Sequence, residues 1–151
     1  MRRSSFEDMS CSIARSLEVI GEWWTLLILR DAFFGITRFE EFQERLGIAR
    51  NVLATRLDTL VEHGVLERRP YDLRPRYEYH LTAKGAELVD LLMVMVGWGD
   101  KWLAGDPGPP VLYRHHACGE ISSVELRCAH CGEPMHAGDI DLLPGPGASG
   151  S

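Results

Sequence analysis

Apolar residues recur at helical spacing through the first third of the chain and predict two core helices near its start. Ile13, Leu17 and Ile20 mark a first helix ending at Gly21, and the apolar positions of residues 24–34 mark a second. Aromatic residues of these and the following helix are expected mostly to lie in the core: Trp23, Trp24, Phe33, Phe34, Phe39 and Phe42.

Two further helices follow, separated by a short turn. Thr37 and Glu40 have the spacing of a capping box, in which the threonine oxygen and the glutamate carboxylate accept free backbone N–H groups. They predict the start of a third helix that ends at Gly47. A fourth helix is predicted over residues 50–63, ended by Gly64. The pair has the pattern of a helix-turn-helix.

The fourth helix has one apolar arc and one polar face. At about 100° per residue, the apolar arc contains Val52, Leu53, Leu57, Leu60 and Val61. The opposite face is centred on Asn51, Thr55, Asp58 and Glu62. Because the N-terminal end of this face is polar and hydrogen-bonding, the helix is predicted to read base edges in DNA.

A β-hairpin is predicted after the fourth helix. Residues 65–69 and 76–81 alternate as strands do, and residues 70–75 between them form a loop with two prolines. The predicted fold class is therefore mainly α with a small β-hairpin wing, a winged helix-turn-helix.

A last long helix follows Thr82, and its body over residues 88–98 is apolar on nearly every side. Such a helix needs cover on two sides, from its own domain and from a partner subunit, so a homodimer is predicted. Residues 91–98 are too few to cross a bilayer of about 30 Å. No apolar run of the secretory type follows Met1, so no membrane association and a cytoplasmic location are expected.

The last third of the chain carries a pattern typical of a zinc ribbon. Two knuckles are each followed by glycine, and their candidate ligands are His115, Cys118, Cys128 and Cys131. His116 is the alternative fourth ligand. A structural zinc ion is predicted; the alternatives are a metal-free ribbon and a thioredoxin-like redox pair.

The composition shifts divide the chain into segments. Residues 1–104 are predicted as the winged helix-turn-helix domain, which binds DNA and dimerises, and residues 105–110 as a linker rich in Pro and Gly. Residues 111–143 are predicted as a small C-terminal zinc-ribbon-like β module. Residues 144–151 are predicted as a disordered tail.

Charge is distributed unevenly along the 151 residues, whose formal net charge is −6. Residues 1–76 hold 12 arginines and 12 acidic residues, whereas residues 77–151 hold four basic and ten acidic residues. The first half therefore has room for basic patches suited to phosphate and guanine contact. The candidate DNA-binding residues are Arg38, Arg50, Asn51, Thr55, Arg56, Arg74 and Arg76. No catalytic triad, phosphate-binding glycine loop or close carboxylate pair is found, so no enzyme is expected.

From Cys11 to about Leu103, the chain resembles the HxlR-type family of winged helix-turn-helix transcription regulators. The resemblance rests on residues 11–15, 20–30, 35–40, 52–57 and 77–85. It implies a dimeric repressor or activator whose two recognition helices enter successive major grooves of a pseudo-palindromic operator. The chain departs from the family pattern at Ser12, Trp23 and Ala49, and the last of these cannot cap a helix by its side chain.

Two questions of function stay open from the sequence. The resemblance permits Cys11 to act as a redox sensor, because matching cysteines in several family members sense oxidants or electrophiles; the alternative is a buried structural cysteine. A small-molecule or oxidant effector is thus open. The alternative to DNA-binding regulation is a winged-helix module that binds a protein and has lost DNA binding.

Overall fold

The computed structural model describes residues 5–6, 8–73 and 76–148. Its elements are α1 (Ser12–Ile20), α2 (Trp23–Phe33), α3 (Phe39–Leu46), α4 (Arg50–Glu62), β1 (Leu66–Pro70), β2 (Tyr77–Leu81), α5 (Ala83–Trp102), β3 (Tyr113–Arg114), β4 (Ile121–Ser122) and a single 3-10 turn (Ala137–Asp139). The predicted helices and hairpin are confirmed, and the fold is mainly helical with a small antiparallel hairpin.

The core of the first unit lies where α2, α3 and α4 meet the hairpin. Its fully buried apolar side chains are Ile28, Leu29, Phe42, Leu53, Leu57, Leu60, Val65 and Leu66. Burying each of these contributes about 1.5–3 kcal/mol. The expectation for the aromatic residues was wrong at both ends of α2: Trp23 is 90% exposed, and Phe33 and Phe34 are more than half exposed. Trp23 and Phe33 are the first and last residues of α2, and Phe34 is its C-cap.

The start of α3 differs from the predicted capping box by one residue. Arg38 is the N-cap, and its backbone N–H donates to Oε2 of Glu41 at 3.3 Å. Thr37 instead belongs to an extended segment, because its carbonyl accepts the N–H of Tyr79 at 2.7 Å. Pairing with the wing therefore overrides the local capping signal.

The wing is an antiparallel hairpin with Arg69 opposite Glu78 and Glu67 opposite His80. An isolated bridge between Arg38 and Glu78 adds a third, very short strand beside β2. This bridge fixes the start of α3 against the wing.

At the start of α5, the backbone of Gly85 lies very close to the backbone of Val65. A Cβ atom on Gly85 would lie 2.1 Å from the carbonyl oxygen of Val65, so only glycine fits this position. The first compact unit ends at Asp90, and residues 91–148 form the second. No helix within the described ranges has the length and hydropathy needed to cross a membrane.

The second unit has almost no hydrophobic core of its own. Among residues 111–148 none is buried, and only Tyr113, Cys128 and Met135 are even half-buried. Its regular structure is the pair β3 and β4, with two residues each. The predicted tail of residues 144–151 is described only as far as Ala148.

Candidate nucleic-acid interface

The polar face predicted on α4 is exposed. Asn51 and Thr55 are both exposed, and the Thr55 hydroxyl donates to the Asn51 carbonyl at 3.0 Å. That bond uses the hydroxyl hydrogen and leaves the oxygen as an acceptor. The buried side of the helix is formed by Leu53, Leu57 and Leu60, which fixes the direction of the polar face.

The N-terminus of α4 has no side-chain cap. Its N-cap, Ala49, makes no side-chain hydrogen bond, and the first turn contains no acidic residue. The first backbone N–H groups of a helix have no partner within it and carry the positive end of the helix dipole. Arg50 lies at this end, with its guanidinium carbon 4.7 Å from the centre of the Phe39 ring. The arrangement suits a phosphate group.

Arg38 lies at the junction of α3 and the wing. Its Nε atom is 3.4 Å from Oε1 of Glu78, and its guanidinium carbon is 4.7 Å from the centre of the Tyr71 ring. The side chain is 51% exposed, so it is held in place and still open to solvent.

The wing presents several more arginines. Arg68 forms an ion pair with Asp58 that ties β1 to α4, and Arg69 pairs with Glu67. Arg76 is exposed immediately before β2. Arg74 lies outside the described residues, so its predicted DNA contact stays a prediction.

Arg56 lies apart from the exposed polar face. Its side chain is 24% exposed, Nη2 is 3.2 Å from Oε2 of Glu22, and its buried Nε has no partner among the described residues. The charge of Arg56 is therefore directed to the start of α2. Its position within the apolar arc, between Val52 and Leu60 on the helical wheel, was the sequence signal for this.

An ionic group that sequence analysis missed lies at the end of α2. Asp31 is fully buried, with Oδ1 2.8 Å from Arg30 Nη2 and Oδ2 3.4 Å from Arg45 Nε. Arg30 and Arg45 are each nearly half exposed, so one buried carboxylate joins α2 to the last turn of α3. Asp31 follows Trp24, Leu27 and Ile28 at helical spacing, and this position on the apolar face of α2 was the sequence signal for its burial.

The two predicted metal-binding knuckles share one backbone geometry. The His115 N–H donates to the Glu120 carbonyl, and the Gly119 N–H donates to the His115 carbonyl. Cys128 has the same two bonds, to Glu133 and from Gly132. Gly119 and Gly132 have φ angles of 76° and 78°, which favour glycine. His115, and not His116, thus occupies the position equivalent to Cys128.

The four candidate ligands form two pairs. His115 Nδ1 is 3.4 Å from Cys118 Sγ. Hydrogen bonds from the backbone of Cys131 and then of His130, with a smaller contribution from the Cys131 side chain, lower the pKa of Cys128. Across residues 5–6, 8–73 and 76–148, no three His, Cys, Asp or Glu side chains form a group able to hold a metal ion.

Cys11 is the N-cap of α1, and its thiol is exposed. Within the single chain the thiol is therefore not buried, and the choice between a redox sensor and a structural cysteine stays a prediction.

Comparison with known proteins identifies the family. The model of the HxlR-like helix-turn-helix matches residues 19–107. The chain belongs to this family. An uncharacterized HTH-type transcriptional regulator of Mycobacterium tuberculosis is 48% identical over 137 residues, which cover 90% of this chain and 87% of that protein. The resemblance drawn from the sequence is confirmed for the helix-turn-helix family.

Among the similar solved structures, some align with nearly the whole chain and others with only about two thirds of it. PA1607, described as a candidate transcription factor, aligns with a TM-score of 0.81 and 40% identity over 91% of this chain and 96% of that chain. The reduced form of the regulator YodB from B. subtilis aligns with a TM-score of 0.54 and 31% identity over 66% of this chain and 99% of that chain. About a third of this chain thus has no counterpart in YodB.

Proposed function

We propose that the chain binds a pseudo-palindromic DNA operator as a homodimer, with α4 in the major groove, and that a structural zinc ion holds its second unit together. The class of function follows from the family: the chain is a DNA-binding transcription regulator. The observation that carries the proposed mode of binding is the N-terminal end of α4, where Arg50, Asn51 and Thr55 are exposed without an acidic residue in the first turn.

DNA contacts divide into two kinds at this surface. Asn51 and Thr55 face the base edges, where hydrogen bonds specify sequence. Arg38, Arg50 and Arg76 contact phosphates, which position the protein without reading sequence. Arg56 is left out of the contact surface because Glu22 pairs with it.

The homodimer is supported by apolar surface that a single chain leaves open. On α5, Leu91, Met95, Trp98 and Trp102 recur at helical spacing and are 42%, 47%, 61% and 64% exposed. On α1, Ile13 is 73% exposed. Soluble proteins rarely leave such stripes uncovered, and stripes of this kind mark interfaces. A second copy of the chain is the proposed partner.

Zinc is supported by the donor set and by the lack of a core in residues 111–148. Three cysteines and one histidine are a ligand set that zinc accepts. His115, Cys118, Cys128 and Cys131 lie on two turns of the same geometry, as opposing knuckles require. Bound zinc would supply folding free energy and no chemical reaction.

We expect Thr55→Ala and Arg76→Ala to affect DNA binding differently. Thr55→Ala removes a base contact and should reduce the preference for a selected duplex over a random one. Arg76→Ala removes a phosphate contact, weakens both duplexes alike and lowers the salt slope by about one unit. Titration of both duplexes at several salt concentrations measures these effects. Equal loss on both duplexes for Thr55→Ala contradicts its role, and no salt-dependent binding by wild-type protein favours a protein-interaction module.

We expect Cys11 to respond to mild oxidation if it is the sensor. Its thiol is exposed at the N-terminal end of α1, the kind of position where reactive cysteines occur. Diamide or a quinone should release wild-type protein from DNA and leave Cys11→Ser bound, with unchanged zinc content. If both proteins are released equally, the effect belongs to the thiols of Cys118, Cys128 or Cys131. If both proteins stay bound to DNA, the protein does not sense oxidants through a thiol.

A further inference from the structure

Glu78 is an acidic residue in contact with Arg38, a residue of the proposed DNA-binding surface. It pairs with Arg38 in the bridge beside β2, and its Oε1 accepts from Arg38 Nε at 3.4 Å. Its Oε2 lies 3.1 Å from Nε2 of His80. The Glu78 side chain is 23% exposed, against 51% for Arg38, so the carboxylate is less open to solvent than the guanidinium it contacts. A carboxylate so close to bound phosphates repels them. Its presence at this surface therefore calls for a favourable effect on DNA binding that outweighs the repulsion.

Arg38 is constrained from three directions. Its backbone N–H donates to Glu41, its guanidinium stacks over Tyr71, and its Nε points to Glu78. In the described part of the chain, neither of its terminal Nη atoms has a hydrogen-bond partner. A guanidinium held through Nε keeps these two donors for a second, bidentate acceptor.

We propose that Glu78 is a positioning residue for DNA binding, which orients Arg38 so that its two Nη groups meet a backbone phosphate. Arg38 is the N-cap of α3, the helix that crosses the DNA backbone in a helix-turn-helix. A side chain already held in its bound rotamer loses less entropy when it binds. This inference rests on the proposed DNA binding and assigns to Glu78 a role opposite to that expected from its charge.

The sign of one substitution separates positioning from charge. Glu78→Gln removes a negative charge, so electrostatics alone predicts tighter DNA binding. Weakened orientation of Arg38 predicts looser binding. Glu67→Gln is the matched control, because Glu67 is on the same face of the hairpin, at the residue opposite His80, and pairs with Arg69 and not with Arg38.

The measurement is the affinity of the full chain for a duplex that wild-type protein selects from a random-sequence pool. Glu78→Gln should weaken binding about fivefold, because a charge-assisted hydrogen bond is roughly twice as strong as a neutral one. Glu67→Gln should bind as tightly as wild type or tighter. Arg38→Lys, which keeps the charge and loses the planar fork, should weaken binding as well.

A double-mutant cycle provides the readout that a merely structural role would not change. In an Arg38→Ala background, Glu78→Gln should no longer weaken binding, because the group it orients is absent. Unchanged or tighter binding by Glu78→Gln alone overturns the proposal, and so does equal weakening in both backgrounds. If wild-type protein binds no DNA, the proposed function fails; if it binds and Arg50→Ala weakens it while Glu78→Gln does not, only the role of Glu78 fails.

Discussion

Removal of zinc is expected to unfold residues 111–143 and to leave the first unit folded. This stretch has no buried residue, and its two strands have two residues each, so burial cannot offset the entropy of ordering it. Structural zinc supplies about 10–16 kcal/mol in small zinc-binding peptides. The core formed by Phe42, Leu53 and their neighbours contains none of the proposed ligands and should persist.

Metal analysis and amide hydrogen exchange of the full chain measure this effect. We expect about one zinc ion per chain, and Cys128→Ser, Cys131→Ser and His115→Ala should each lose it. His116→Ala is the matched control and should keep zinc, because His116 lacks the backbone bonds that His115 shares with Cys128. Metal-free wild-type protein with slow exchange in residues 111–143 contradicts the zinc proposal. Zinc loss by His116→Ala alone would reverse the choice of histidine.

Local patterns predicted the helices well because each helix is specified by its own apolar arc. The wheel of α4 placed Leu53, Leu57 and Leu60 inside and Asn51 and Thr55 outside, as the structure has them. Which residues face inward depends only on the helical period and on which side of the helix is apolar. Both can be read from one continuous stretch of sequence.

Contacts between distant segments could not be predicted in the same way. Thr37 had the correct spacing for an N-cap, but its carbonyl pairs with Tyr79, 42 residues later, and the cap moves to Arg38. No local pattern distinguishes Glu78, since its partner Arg38 precedes it by 40 residues. Ion pairs of this kind depend on tertiary placement, which the spacing within one element does not report.

A single charge in the apolar stripe on α5, introduced by Trp98→Asp, is expected to give a monomer that binds its operator at least about 100-fold more weakly. Trp98 is 61% exposed and lies between Met95 and Trp102 on the stripe. In Trp98→Asp, a charged carboxylate would replace an apolar side chain in the proposed interface, and its desolvation costs several kcal/mol. The folded chain should tolerate the change, since Trp98 is not part of the core.

The control adds the same carboxylate to another side of the same helix. Ala86 is exposed on α5 and lies outside the stripe, so Ala86→Asp should remain a dimer. Sedimentation or light scattering gives the oligomeric state of both variants.

Two DNA probes then separate loss of the dimer from loss of the fold. A full operator has two half-sites roughly 34 Å apart, so a dimer gains from a second binding event that a monomer lacks. Trp98→Asp should therefore lose affinity for the full operator and keep the wild-type affinity of one protomer for a single half-site. A dimeric Trp98→Asp variant contradicts the proposed interface. Equal loss on the half-site would mean that the substitution damages α4 or its support, because a half-site engages only one recognition helix.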